Sequence, residues 1–310
     1  VMMTVFFLGD TPSNGLIISF NQFFNIDILS IKNSLHFIDG IFLIALSSLL
    51  IGIMGTVPGH ELVHRKKNKF DKQMGNWLLA LSWDCAFAVE HVYGHHKNVA
   101  LEKDPATAKR GENIYAFIFK AIKNEQIGAW NIERARLKMN KSSFFSFKNR
   151  MITGYMRSIL ISGLSYYVGG FSGLLTFLLC SFIAKSLLEV INFTEHYGLV
   201  RVEGQPVMPH HSWNTNSFVS SIYLYNVTRH SSHHEKAHLK YWELRPYIDA
   251  PTMPQGYLSM LYLAIFLPGI FKKIMVKKLL DWDENYATDE ERKLSAIQNK
   301  NSNMPLLLNH

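Results

Sequence analysis

The chain has 310 residues, 48% hydrophobic and 18% charged, with a net charge of +8 at pH 7 and a mean hydropathy of +0.02. Its two cysteines exclude a disulfide scaffold and a four-thiolate zinc or iron–sulfur site built from this chain alone. The apolar content excludes a disordered chain. Fourteen histidines are the anomaly of the composition, and they are clustered.

In chain order, residues 1–57 read as membrane-associated. Residues 40–57 (GIFLIALSSLLIGIMGTV) form an uncharged run of 18 residues, near the lower limit for a spanning helix. The opening VMMTVFFLG has no basic n-region and no cleavage pattern, so it is not a signal peptide. It starts inside an apolar stretch, and the expectation is that upstream residues are missing and the N-terminal helices are incomplete. Residues 58–150 read as cytoplasmic, mostly helical and polar to amphipathic. Within them, 74–89 carry Asp84 and are short, which fits a segment that lies in the interface or re-enters it.

Residues 151–195 contain an uncharged run at 158–184, 27 residues long, with Gly169-Gly170 inside it. A membrane hairpin turning at those glycines is expected, one long tilted helix being the alternative. Residues 196–255 form a cytoplasmic segment rich in His, Asn, Ser and aromatic residues. Residues 256–271, interrupted by Pro268, read as interfacial, and 272–310 as a tail, helical near 279–298 and frayed beyond. Arg65, Lys66, Lys67 and Lys69 follow His64, and 97–150 holds 12 Lys/Arg against 5 Asp/Glu. The positive-inside rule puts both regions on the cytoplasmic side. The chain thus reads as one all-α membrane domain over 1–310.

Four clusters hold nine of the 14 histidines: His60-Glu61-Leu62-Val63-His64, His91-Val92-Tyr93-Gly94-His95-His96, a single His196 in Glu195-His196-Tyr197-Gly198, and His230-Ser231-Ser232-His233-His234. Residues three and four apart share a helix face. His60 and His64 therefore aim at one point, as do His91 and His95 with His96 adjacent. His230, His233 and His234 cover both spacings. Imidazole suits iron, copper and zinc. Nine donors are too many for one ion; they suit two ions with positions left open for a small molecule. All four clusters fall at the cytoplasmic edge of the bilayer, provided that 74–89 does not cross it.

Blander readings account for less. His60-Glu61-His64 alone matches the HExxH of zinc peptidases, but a peptidase needs one more ligand and leaves six clustered histidines unexplained. Chance surface clustering does not produce three multi-histidine groups at ligand spacing. A transporter buries polar groups within its spanning segments, and these segments are nearly free of them.

The order HxxxH, HxxxHH, EHYG, HxxHH resembles the bacterial integral-membrane alkane 1-monooxygenases, with the xylene monooxygenase hydroxylase component as close kin and the membrane fatty-acid desaturases as wider relatives. The stretches EHVYGHHKNVALEKDPAT, NFTEHYGLVR, HSWN at 211–214 and LYNVTRHSSHHEKAH carry the resemblance, over roughly residues 40–250. Desaturases typically have HxxHH in the second box and lack EHYG, which favours the hydroxylase branch. The resemblance implies an all-α membrane bundle with a cytoplasmic-side helical cap. It implies two non-haem iron ions held by His60, His64, His91, His95, His96, His196, His230, His233 and His234; which histidine binds which ion does not follow from spacing. Too few residues precede His60 for all the upstream helices of the family.

The implied reaction inserts one atom of O2 into the terminal methyl of an alkane or alkyl chain, giving a primary alcohol. A fatty-acid desaturase or other lipid hydroxylase is the alternative, and a non-catalytic histidine-rich metal-binding protein the alternative of another class. Glu90, Asp104 and Glu195 are candidate carboxylates that orient imidazoles. Glu61, one step from His60, points away and has no role. Apolar residues of 40–57 and 158–184 are expected to line the route of substrate from the bilayer. The chain has no flavin or dinucleotide fingerprint, and Cys85 and Cys180 read as inert core thiols. Two electrons must come from a partner, a rubredoxin or a ferredoxin-type reductase, for which the basic 97–150 is a docking face. Membrane lipid is the other implied contact, and nucleic acid is not implied. The implied location is the bacterial inner membrane. His36, His210, His211, His238 and His310 fall outside the ligand set, with His210 and His211 expected on the surface and hydrogen bonds that support the ligands as the alternative.

Overall fold

A computed structural model describes residues 1–11 and 14–308. Among them there is no strand; one isolated parallel bridge joins Asn214 to Thr252. The placement expected for His310 lies outside the described residues.

Three short helices open the chain: α1 (Met2–Leu8), α2 (Asn14–Phe24) and α3 (Ile28–Ser34), the last capped by the Asp27 carboxylate, which accepts from the Leu29 and Ser30 N–H groups. Then α4 (Phe37–Leu50) runs through a π turn at Ile51–Thr56 into α5 (Val57–Val63), making a 27-residue rod. The register change coincides with Pro58, which has no N–H to donate. Asn68 caps α6 (Lys69–Ala80). Next come α7 (Phe87–Glu90), a second π turn at His91–His95, and α8 (His96–Asn98). Side chains of Asn113 and Asn149 cap α9 (Ile114–Met139) and α10 (Arg150–His196).

α10 is not straight. Gly169 and Gly170 leave helical geometry, Gly170 at φ 58°, a conformation that favours glycine. Ser158 donates to the Ala80 carbonyl (3.2 Å) and Ser181 to the neighbouring Leu81 carbonyl (2.7 Å). On one continuous helix those serines would stand ~34 Å apart. The two halves of α10 therefore fold back on each other, so its first residue and His196 lie at the same end.

The outer faces of this assembly are apolar. Phe37, Phe42 and Met54 on the first rod, and Ile159, Tyr167, Phe171 and Leu175 on α10, are all exposed. Only 22% of the most apolar window of Phe37–Val63 is buried. A core helix of a water-soluble protein buries such side chains; a helix that contacts lipid leaves them outward. Two helices are thus long and apolar enough to cross a membrane.

The C-terminal third comprises a 3₁₀ turn at Pro209–His211, α11 (Phe218–Tyr223), α12 (His230–Glu235), α13 (Tyr257–Phe266), α14 (Pro268–Asn285), α15 (Asp289–Asn301) and α16 (Pro305–Leu308). This corrects the expected tail. Met275, Leu279 and Trp282 are fully buried against Phe117, Phe193, Tyr197 and Trp213 in the largest apolar cluster. Arg110 ties α14 down, donating twice to Asp283 (2.6 and 2.7 Å) and to the Gly198 carbonyl (2.9 Å). The region 279–298 is helical as expected, in two helices: Thr288 and Glu291 form a capping box that restarts the chain as α15.

Candidate metal centre

The nine clustered histidines converge at one end of the bundle in two groups, the potential ligand atoms within each lying within 4.8 Å of one another. His60, His64, His91, His96 and His233 make one; His95, His196, His230 and His234 make the other. Sequence reasoning places His91 and His95 on one face, and the structure separates them. In the π turn the His96 N–H reaches back five residues to the His91 carbonyl. That wider turn brings the His91 and His96 Nε2 atoms to 3.2 Å and sends His95 to the other group. His60 and His64, on ordinary α geometry, share a group. α12 divides its three: His230 and His234 face one group, with Nε2 atoms 3.0 Å apart, while His233 faces the other, 3.0 Å from His60.

The spacing of these donors tests whether metal ions fit. Neighbouring Nε2 atoms lie 2.9 Å apart for His60–His91 and 3.1 Å for both His96–His233 and His196–His230. With metal–nitrogen bonds of about 2.1 Å, right-angled positions put donors ~3.0 Å apart and tetrahedral ones ~3.4 Å apart. These closest spacings match right-angled positions around an iron ion bound by the nitrogens. Nε2 of His64 and of His95 are buried with no hydrogen-bond partner. Orphaned lone pairs beside so many other acceptors are costly unless a cation takes them.

Groups behind the imidazoles fix their orientation. His95 donates from Nδ1 to Asp104 (2.9 Å), whose carboxylate also accepts from the Thr107 hydroxyl (2.5 Å). Burial pushes Asp104 up, but His95 and these hydrogen bonds outweigh it and hold the carboxyl below its usual range. His196 donates from Nδ1 to the His211 carbonyl (3.0 Å). This corrects the surface placement of His211: it is buried, accepts the Met208 N–H at Nδ1 and donates from Nε2 to Glu291 (2.7 Å). Glu195 is buried with one oxygen 3.3 Å from His230 Nε2 and the other unpartnered. Glu90 is also buried but makes no hydrogen bond to an imidazole; burial and the nearby Asp104 push it up to about 8. Asn214 bonds Ser231 in both directions (2.7 and 2.9 Å), locking α12 in place.

An apolar cleft reaches the centre from the outer face of the helices. Leu49, Gly52, Ile53, Leu187, Leu258 and Leu261 wall a space of about 70 Å³. Val57, Leu188 and Ile191 are shared with a smaller space of about 20 Å³ that touches His60, His91, Glu195 and His230. The lining comes from 49–57 and 187–191 with α13, whereas 158–184 takes no part. Those residues sit on the outward half of the hairpin and around its turn, away from the histidines.

Sequence reasoning also missed a buried charge cluster beside the centre. Lys185 lies among Asp84 (2.9 Å), Glu125 (2.5 Å) and Glu189. Lys185 and Glu189 are one helical turn apart, but Asp84 and Glu125 come from distant positions, Glu125 lying 60 residues from Lys185 in sequence. For Glu291 the only signal was its place in a capping box, which conceals its contact with His211.

Residues 38–264 match the family described as Fatty acid desaturase. Alkane 1-monooxygenase 1 of Pseudomonas aeruginosa is 35% identical over 81% of this chain and 65% of its own length. Alkane 1-monooxygenase of Ectopseudomonas oleovorans is 34% identical over 77% and 60%. The xylene/toluene monooxygenase hydroxylase component XylM of Pseudomonas putida is 32% identical over 83% and 69%. The chain thus spans somewhat less than two thirds of the two alkane monooxygenases.

Proposed function

From the premise that this chain belongs to the fatty acid desaturase family, we propose that it is the catalytic part of a membrane di-iron monooxygenase. It acts on the terminal methyl of an alkane or alkyl chain, with O2, to give a primary alcohol. The observation that carries the reading is the set of two adjoining nitrogen-only groups, five and four imidazoles, at the inner end of a wholly apolar cleft. All nine histidines serve as ligands, the five-membered group holding one iron and the four-membered group the other.

Iron bound there supplies O2 binding and the two-electron chemistry of C–H hydroxylation. The protein's own residues do the rest. Asp104 and the His211 carbonyl keep protons on Nδ1 of His95 and His196, so both rings present Nε2 lone pairs inward. Thr56 spends its hydroxyl on the Gly52 carbonyl, leaving the outer part of the cleft without a free polar group to hold water. An alkyl chain threaded past Leu49 and Leu188 brings only its end to the histidines, and this geometry selects the terminal carbon. Phe87 stacks on His91 at 4.3 Å and closes the side of the small space.

The site lies on the cytoplasmic side of a bacterial inner membrane. The end of the bundle that carries the histidines also carries Arg65, Lys66, Lys67 and Lys69, as the positive-inside rule requires. Electrons come from a rubredoxin or a ferredoxin-type reductase. The least buried ring edges of the centre are those of His96 and His234, beside Lys97 and the basic 97–150, which suits an acidic carrier.

Product analysis tests the reading. Protein in lipid, supplied with a medium-chain alkane, O2 and a reduced carrier, is expected to form the 1-alkanol. An alkene or a modified acyl chain instead would assign it to the desaturase side of the family.

A further inference from the structure

A second cavity, of about 310 Å³, lies where the first turns of α6 and α10 meet, walled by Lys69, Lys72, Gln73, Phe147, Arg150 and Arg157. No carboxylate lines it. Arg150 is neutralised from outside the wall by Glu133 (2.7 Å). Arg157 is held by neutral groups, the Thr153 carbonyl (2.9 Å) and Gln73 Oε1 (2.8 Å). Among the described residues, Lys69, Lys72 and Arg157 have no acidic partner, so three positive charges face one space uncompensated. The larger surface cavity, near α15, differs: there Lys103 pairs with Glu203, Lys109 with Glu102 (2.7 Å) and Arg110 with Asp283 (2.6 Å).

The surroundings say what kind of anion it is. Phe147 lines the cavity and stands 79% exposed, Phe70 is exposed beside Lys69 in the chain, and Trp77 lies beneath the Arg157 guanidinium at 5.8 Å. Exposed aromatics beside arginine and lysine at the end of an apolar helix mark the membrane–water interface. On α10 the exposed apolar belt begins at Met156, next to Arg157. A phosphate in the cavity would therefore have its acyl chains lying along that belt.

We propose that this cavity binds a phosphate group, and that its bearer is the phosphodiester headgroup of an anionic phospholipid. Basic pockets at the cytoplasmic ends of membrane helices recognise such headgroups by the same chemistry. The headgroup pins the first half of α10, and with it Cys85, which contacts Gly154, and the turn that leads into α7.

The test measures phosphatidylglycerol retained per chain after the full-length protein is exchanged from mixed phosphatidylglycerol–phosphatidylcholine nanodiscs into detergent. Lys69→Ala/Lys72→Ala/Arg157→Gln is expected to retain it roughly 100-fold less tightly, from about a fivefold loss for each of the three charges. Lys103→Ala/Lys109→Ala, which removes two cations from the balanced cavity, is expected to retain it as the parent does. Lys69→Arg/Lys72→Arg keeps the charge and is expected to keep the lipid, separating lost binding from lost folding. Equal retention by the triple variant, with its thermal midpoint intact, overturns the proposal. So does displacement of phosphatidylglycerol by millimolar inorganic phosphate, which would make the ligand a free anion. None of these readouts depends on iron or turnover.

Discussion

The two histidine groups are built differently. The four-membered group has partners behind two of its rings, Asp104 behind His95 and the His211 carbonyl behind His196, whereas the outer nitrogens of His230 and His234 have none and Glu195 meets His230 at its inner nitrogen. In the five-membered group, the outer nitrogen of His91 has no partner, and the rings brace one another edge to face. One site has two of its four rings fixed from behind and no spare donor; the other has five donors. Ligand loss should therefore hurt the first more, and changes behind the rings should act on the first alone.

The largest effect expected is on ligand loss itself. His234→Ala leaves three imidazoles in its group and is expected to reduce bound iron to about one per chain, with loss of hydroxylation. His64→Ala leaves four in its group and should retain nearer two. Elemental analysis of the two variants decides the comparison, and equal losses would break it. Next in size is Asp104→Asn. Losing the charge behind His95 is expected to weaken iron in the four-membered group by about 10–100-fold. Competition with a chelator reads this out.

Gly52→Phe sharpens the contrast by sparing both groups. It fills the cleft wall, where a Cβ meets nothing closer than Leu187 at 3.9 Å. kcat/KM for long alkanes should fall by about tenfold or more, as fits loss of one to two buried methylenes of binding, with iron content unchanged. The smallest effect is at Glu291, two links from His196. Burial raises its carboxyl, but the hydrogen bonds from His210 and His211 win and hold it well below the ordinary value. A lowered carboxyl contributes stability that is complete above the ordinary pKa of 4.5 and is lost as pH falls through the lower folded value. Glu291→Gln should flatten that acid limb in a thermal-midpoint series against pH and cost a few-fold in iron affinity.

Spacing made eight of the clustered histidines legible as candidate ligands, because pairs on helices leave short fixed spacings; His196 stood alone and was added by the resemblance. It did not show how they divide between two groups. That division depends on a π turn at His91–His95, and nothing in Val92-Tyr93-Gly94 announces a turn closed over five residues. Asp104 could be singled out because it lies nine residues from His95. For His211 a supporting hydrogen bond is only the alternative to a surface place, and it is the carbonyl rather than the ring that meets His196. The part that the C-terminal helices play in the core was hidden as well. Trp282 and Leu279 sit in a charged stretch that reads as a tail, and only long-range packing on Phe193 and Tyr197 shows them to be core.

The account stands on two metal positions built from nine imidazoles. Metal analysis of the purified chain, expressed with iron available, tests that most directly. About two irons per chain, five- and four-nitrogen sites distinguishable by Mössbauer spectroscopy, is the expected result. One zinc per chain and no iron would contradict it.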